Sequence, residues 1–450
     1  MKLKARSFRA PATACLALAL GATVGGCSLF GHREDHRPKT AVLGERIPVL
    51  TSTTDAEVDP ALATVPVAVP APEVNDAWAQ PGGNAAKTPG NVSLAPALSR
   101  AWTTAIGKST PQARFAAAPV IAGKRAYVID TNAVVHAIDL DSGRKLWTSA
   151  LSAKKKERPS RFGGGVSVDG DRLYATDGLG DAAALDAATG KILWKVRPAG
   201  PLRGAPAIGG GNAYVVTQDN QLFALSQDKG AVVWTVSATL ENSGVFGVAA
   251  PAIGQGTVVA GFSSGELTAL RYENGRVVWQ DQLSRTSIST SVASISDIDA
   301  SPIIENGRVY AIGQGGRMVA MDLIGGQRLW ELNIGGIETP ALGGDWLFVI
   351  TDEAKIYCIA KNSGKIRWIT QLPRFIDPKS KNKPIGWNGP VLAGGRLILT
   401  STRGILANVA VADGAIQSQV KAGKSFFLAP VVANNTLLTL DVAGNIAAWR

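Results

Sequence analysis

From about residue 98 onward the chain is written in short apolar runs separated by polar and glycine breaks. The runs have the length of strands and carry no 3.6-residue stripe, so the pattern predicts many short strands joined by tight turns. One unit recurs: a proline among apolar neighbours, a Gly/Asn turn, a Tyr/Val-rich strand, an Ala-Leu-Asp-like strand, a polar-Gly turn and a tryptophan. One copy runs Ala205-Pro206-Ala207-Ile208, Ala213-Tyr214-Val215-Val216, Leu222-Phe223-Ala224-Leu225, Lys229-Gly230 and Val232-Val233-Trp234. Another runs Ser301-Pro302-Ile303-Ile304, Val309-Tyr310-Ala311-Ile312, Met318-Val319-Ala320-Met321-Asp322, Gly325-Gly326 and Leu329-Trp330.

The tryptophans of this unit are Trp102, Trp147, Trp194, Trp234, Trp279, Trp330 and Trp368, spaced 45, 47, 40, 45, 51 and 38 residues apart. A further interval of 50 leads to Ser418, where Asp413-Gly414 keeps the turn and the tryptophan is lost. The last unit starts at Ala429-Pro430-Val431-Val432 and stops after two more strands, while the segment around Trp102 is a final strand without the preceding three. Each fragment supplies what the other lacks. Residues 98–450 are therefore expected to form an all-β, eight-bladed β-propeller of four-stranded antiparallel blades, with roughly 44 residues per blade and the ring closed by the N-terminal strand. The polar-Gly pairs, from Ser142-Gly143 to Asp413-Gly414, predict two-residue hairpin turns. One tryptophan per blade predicts a wedge between neighbours, its burial worth about 2–3 kcal/mol.

Composition narrows the alternatives. Only 18% of residues are charged, and 50 of 450 are glycine, which suits neither a coiled coil nor a disordered chain. No apolar run reaches the length of a membrane span. The net charge of +11 includes four cations before residue 27, and the rest carries no aromatic-interleaved stripe, so nucleic-acid binding is not indicated. Of three cysteines, Cys358 falls in a strand slot held elsewhere by Ala224, Ala269 and Ala320, where a small buried thiol fits. His136 is the one histidine outside the N-terminal region and takes a variable strand slot, which reads as a structural rather than a catalytic side chain.

Residues 1–26 have a basic start and an apolar segment from Ala12 to Val24, the grammar of a secretory signal. The signal ends in Val24-Gly25-Gly26-Cys27, which resembles a bacterial lipobox. That resemblance implies cleavage before Cys27 and lipidation of its thiol; Ser28, in place of an aspartate, favours the outer membrane. Residues 27–97 are rich in Pro and Ala, without sustained periodicity, and are expected to form a lipidated flexible tether.

The Asp186-Ala187-Ala188-Thr189-Gly190-Lys191-Ile192-Leu193-Trp194 unit resembles the repeats of pyrroloquinoline-quinone-type propellers. Together with Gly26-Cys27-Ser28-Leu29-Phe30, the opening Ala101-Trp102-Thr103-Thr104-Ala105-Ile106-Gly107 and the eight repeats, the chain resembles the lipoprotein B (BamB) family of the outer-membrane β-barrel assembly machinery. The resemblance implies a non-enzymatic scaffold on the periplasmic side of the outer membrane. Such a scaffold binds the periplasmic domains of the barrel-assembly channel, assists insertion of β-barrel proteins and needs no cofactor or metal; unfolded outer-membrane clients are further candidate partners.

The family's partner loops lie between blades. One carries Ser-Asp-x-Asp, present as Ser296-Asp297-Ile298-Asp299 before Ala300-Ser301-Pro302, which makes Asp297 and Asp299 candidate contacts. The alternative for the two carboxylates is turn formation or strand capping. A second family loop carries an arginine; the stretch from Ser243 to Pro251 has Val245 and, at the arginine position, Phe246, which implies an apolar contact. Leu202-Arg203-Gly204 copies that arginine motif one blade early, so the role is not carried to Arg203. The three longest tryptophan intervals expand after the tryptophan, at 154–162, 282–298 and 373–386, all blade-to-blade connections and hence on one face. Two other readings share the repeat: a quinone-cofactor dehydrogenase, and a scaffold of a different envelope complex. The dehydrogenase would need a calcium-linked pocket, and many such enzymes also have adjacent cysteines, a pair this chain lacks.

Overall fold

A computed structural model describes residues 56–110, 113–152, 163–240, 249–283, 297–314 and 316–450. They form the expected eight-bladed propeller of antiparallel sheets, and in the first seven blades the blade's own four strands run from the innermost to the outermost in chain order. In the third blade the strands are Ala207–Gly209, Asn212–Val216, Gln221–Ser226 and Val232–Ser237, paired in that order. The eighth blade takes its outermost strand from Arg100–Ala105, which pairs antiparallel with Asn445–Trp449. Ring closure thus joins the two ends of the propeller through backbone hydrogen bonds, and no strand edge is left at the seam.

The register explains the repeat. In the third blade Tyr214, Ala224 and Trp234 stand in one cross-strand row. The same row is Tyr127, Ala137 and Trp147 in the first blade, and Tyr310, Ala320 and Trp330 in the fifth. The outer two rings meet over the middle residue with centroids 5.6–6.1 Å apart, so that residue must be small. In the sixth blade the row is Phe348, Cys358 and Trp368, which gives Cys358 the small buried slot the repeat predicts.

Each tryptophan also reaches into the next blade. The indole N–H of Trp147 donates to Ala187 O (3.3 Å), Trp194 to Gln227 O (2.9 Å), Trp234 to Tyr272 O (3.0 Å) and Trp279 to Leu323 O (2.8 Å). Every accepting carbonyl belongs to a turn between the third and fourth strands. The turn glycine lies flat on the same indole: a Cβ on Gly230 would fall 2.6 Å from Trp194 Cε3, and one on Gly143 2.6 Å from Trp102 Cδ2.

These turns differ from the expected two-residue hairpins. Gly230 N–H donates to Ser226 O and Ser226 N–H to Ala231 O, a longer loop in which only the glycine has positive φ (+70°). An aspartate at the first position, as Asp186 with Thr189 N–H (2.7 Å), caps the loop from its side chain. The second residue of every pair is glycine because it must both turn left-handed and clear an indole.

The N-terminal segment departs furthest from expectation. Residues 27–55 lie outside the described residues, but residues 56–97 are not a free tether; they are a strap laid across the propeller. The strap begins at the outer strand of the sixth blade, where Asp59 N–H donates to Ile366 O, and packs Leu62, Val65, Val67 and Val69 against the sixth and seventh blades. It then circles the centre. Ala77–Trp78 pairs with Ile121 and Ala122 of the first blade, Ala79 O accepts from Val168 of the second, and the Gln80 side chain bonds both ways to Ile208 of the third. Ala85 O and Ala86 O accept from Ile253 and Ile304 of the fourth and fifth blades. Asn75 binds Val432 O of the eighth blade and Val92 binds Leu392 O of the seventh, while Val69 fills the space above Gly343 of the sixth. All eight innermost strands are touched near the turn that ends them. The strap therefore covers one end of the central channel, on the face opposite the blade-to-blade connections.

Gly230→Ala is expected to cost about 2–4 kcal/mol in chemical denaturation, because the methyl group meets both the Trp194 ring and a left-handed backbone. Cys358→Ala is expected to cost less than about 1.5 kcal/mol and Cys358→Leu about 1–3 kcal/mol, since only the larger side chain separates Phe348 from Trp368. Equal losses for the two cysteine variants would show that the row does not control packing there.

Candidate functional site

The blade-to-blade connections share one face, and two of them meet at the channel mouth. Arg203 lies in the connection between the second and third blades, with its backbone held by Val216 O (2.9 Å) and Gly164 N–H (3.2 Å). Its guanidinium donates to Asp297 Oδ1 (3.0 Å) and Asp299 Oδ1 (3.1 Å), in the connection between the fourth and fifth blades. Asp297 is fully buried and Asp299 is 6% exposed.

The Asp-x-Asp spacing follows from strand-like alternation. Ile298 points the opposite way, into the apolar cluster between the fourth and fifth blades, and occupies the space a Cβ on Gly261 would need. Backbone bonds fix the segment: Ile298 N–H donates to Phe262 O (3.1 Å), and Asp297 O accepts from Gln314 N–H (2.9 Å). The two carboxylates are thus held inward and face Arg203 rather than solvent.

One guanidinium faces two buried carboxyls. Burial, and next the neighbouring Asp297 charge, push Asp299 up to about 8 against the opposing pull of Arg203. Close by, desolvation inside the channel raises Glu338 to about 7, and desolvation with the neighbouring Glu353 charge raises Asp352 to about 6. Asp352 repels both Asp299 and Glu338, and the Gly389 N–H bonded to Glu338 Oε2 (3.0 Å) partly offsets the burial of that group. Asp299, Glu338 and Asp352 near the channel mouth are therefore harder to ionise than free carboxyls.

Arg203 is the partner of the two carboxylates that the Ser-Asp-x-Asp motif alone does not reveal. Its Leu-Arg-Gly context was visible, but pairing it with Ser-Asp-x-Asp requires knowing that connections two blades apart meet at the mouth. Cys27, Val245 and Phe246 lie outside the described residues. Of the three expanded connections, the first two fall largely outside them, and the third forms a hairpin of Phe375–Asp377 with Asn382–Pro384. His136 Nε2 bonds Asp130 Oδ2 at 2.9 Å inside the first blade, and Asp130 also caps the Asn132 and Val134 N–H groups, a structural use of both side chains. Among the described residues no three His, Cys, Asp or Glu side chains come together in a way that could hold a metal ion.

The profile of outer membrane protein assembly factor BamB matches residues 131–370, more than half of the chain. The chain belongs to the BamB family. Relatives include the BamB proteins of Yersinia pestis, 27% identical over 78% of this chain and 88% of that protein, and of Escherichia coli, 28% identical over 77% and 87%. Among solved structures, BamB from Moraxella catarrhalis superposes with a TM-score of 0.63 at 19% identity, covering 79% of this chain and 98% of that one. A europium-containing methanol dehydrogenase superposes with a TM-score of 0.64 at 15% identity, covering 81% and 89%. At such identities the structural likenesses speak for the propeller alone, and the sequence match separates the family from the enzymes that share its fold.

Arg203→Met leaves two buried carboxyls without their cation and is expected to cost about 3–5 kcal/mol in denaturant unfolding. The pH dependence has a definite sign. A carboxyl raised above its unfolded value stabilises the fold fully below about pH 4, and that contribution is lost as pH rises through about 8. Asp299→Asn is therefore expected to melt closer to, or above, wild type at pH 8.5 than at pH 5. A difference between the two proteins that does not change with pH would show that Asp299 is not the titrating group.

Proposed function

We propose that this chain is a non-enzymatic assembly factor of the outer membrane, anchored on the periplasmic side by lipidated Cys27, that binds the periplasmic domains of the barrel-assembly channel and assists insertion of β-barrel proteins. Membership of the BamB family is the observation that carries this reading. The lipobox residues Val24-Gly25-Gly26-Cys27 support the anchor. Because the strap takes up residues 56–97, the stretch between anchor and propeller is residues 28–55, which spans at most about 100 Å when fully extended.

The partner surface is the connection face. The bridge from Arg203 to Asp297 and Asp299 links the connections that flank, in chain order, the one carrying Val245 and Phe246. With their carboxylates engaged by Arg203, Asp297 and Asp299 contribute to partner binding by holding this face in shape, and Val245 and Phe246 supply the apolar contact. Rigid support under connection loops is the usual way a propeller presents a binding surface.

The test is a crosslinked pull-down of the tagged, lipidated protein from outer membranes. Near-stoichiometric recovery of the barrel-assembly channel is expected; recovery of some other envelope complex in its place would discard the assigned partner. Phe246→Asp is expected to lower that recovery at least tenfold with an unchanged melting temperature. Cys27→Ala is expected to move the protein to the soluble periplasmic fraction, and continued sedimentation with the outer membrane would exclude the anchor.

A further inference from the structure

The strap turns the central channel into a blind cavity of about 170 Å³ that opens toward the connection face. Its lining is mostly apolar, with Trp78 and Pro89 from the strap and Val120, Leu342 and Val391 from the innermost strands, and it also includes the carboxyls of Asp299 and Glu338, which burial makes harder to ionise. At the strap end sits Lys87, only 1% exposed, whose Nζ has no hydrogen-bond or ion-pair partner. No carboxylate among the described residues lies within ion-pair distance of it, and burial alone pulls the amine down to about 7.

The strap is shaped to place that amine. Lys87 has a left-handed backbone (φ +67°), uncommon for a residue with a long side chain. The turn that imposes it is fastened by Lys87 N–H to Asn84 O (3.2 Å) and by paired bonds between the Asn84 side chain and the Thr88 backbone (3.0 Å each). Gly82 gives the aliphatic stem its room, since a Cβ there would stand 2.8 Å from Lys87 Cδ. A solvent-facing lysine would satisfy the same turn at no desolvation cost. A left-handed backbone that aims an unpartnered, buried amine into one cavity is an arrangement that an anion would complete.

We propose that the channel cavity binds an apolar monocarboxylate, its carboxylate on Lys87 Nζ and its apolar body against Trp78 and the innermost strands. The carboxylate is that of a free acid or of a chain terminus. Both reach the cavity from the connection face, because the strap covers the other end. The site is independent of partner binding, so its failure leaves the assembly role standing.

The test uses the purified full-length chain and ligand-observed NMR with phenylacetate, its neutral isostere phenylacetamide, a short peptide ending in a free-carboxylate phenylalanine, and the same peptide amidated. At least one acid is expected to bind saturably and at least tenfold more tightly than its amide. Binding of phenylacetate alone identifies a free acid as the natural ligand type, and binding of the peptide acid identifies a chain terminus. Lys87→Met is expected to abolish the binding while melting at or above the wild-type temperature, as removal of an unpaired buried ammonium should. If Lys87→Met does not fold, Leu342→Phe, which keeps the lysine and fills the cavity, is expected to abolish it instead. No saturable binding of either acid, equal binding of acid and amide, or undiminished binding in the variant would each overturn the proposal.

Discussion

The contact between one blade's tryptophan and the next blade's turn is the interaction on which the ring depends. It combines three requirements at one point: the indole N–H needs an acceptor when buried, the accepting carbonyl sits in a turn, and the turn glycine must carry no side chain where the indole face lies. Within a blade the tryptophan also fixes the middle strand, because an alanine-sized residue must separate it from the aromatic ring on the second strand. One side chain thus sets packing in two directions, along the blade and around the ring. The seventh blade shows what replaces it. There the row is Ile398, Asn408 and Ser418; Ser418 accepts from Asn408 Nδ2 (2.7 Å) and Arg396 donates to Asn408 Oδ1 (3.0 Å), so a hydrogen-bonded pair takes the small slot and the tryptophan slot.

Much of this was legible in the sequence because the same physical requirement is repeated. Seven tryptophans in phase, small residues one strand earlier and glycine in every following turn leave a period that composition alone could not produce. The true turn length was not legible, since a two-residue and a four-residue loop can share the same polar-Gly pair and differ only in which residues take positive φ. The strap was hidden for the opposite reason. Its partners change blade every one to six residues, so no period of 2 or 3.6 can develop, and its Pro, Ala and Gly content matches a free linker. Small residues and prolines are also what a chain needs to lie flat across strand ends that leave little room. The site divides along the same line. The Asp-x-Asp motif could be found, but its partner Arg203 is 94 residues away and becomes a neighbour only through ring geometry.

The strap changes what the propeller is. A ring of eight blades has a central channel open at both ends unless something fills it. Residues 69–93 hydrogen-bond or pack against every innermost strand, so they tie together blades that are not neighbours in the ring. The strap also leads directly into Arg100–Ala105, the strand that closes the ring. Channel capping and ring closure are therefore one continuous device. Displacing the strap would free the inner edge of the first blade and expose the apolar lining of the channel together.

Eight similar blades raise a problem of register that the repeated contact cannot solve, because it is the same at nearly every junction. The elements used once must break the equivalence. Two of them are the strap, which meets each blade with a different residue, and the trio of Arg203, Asp297 and Asp299, which joins two specific connections. Apolar side chains in place of the trio would pack without direction and could give equal or greater stability. A guanidinium bonded to two carboxyls demands an orientation, and it does so at the channel mouth, on the face where the connections emerge. The cost of burying these polar groups is thus placed where two connections must be told apart from the others, and where surface loops need a fixed base from which to meet another protein.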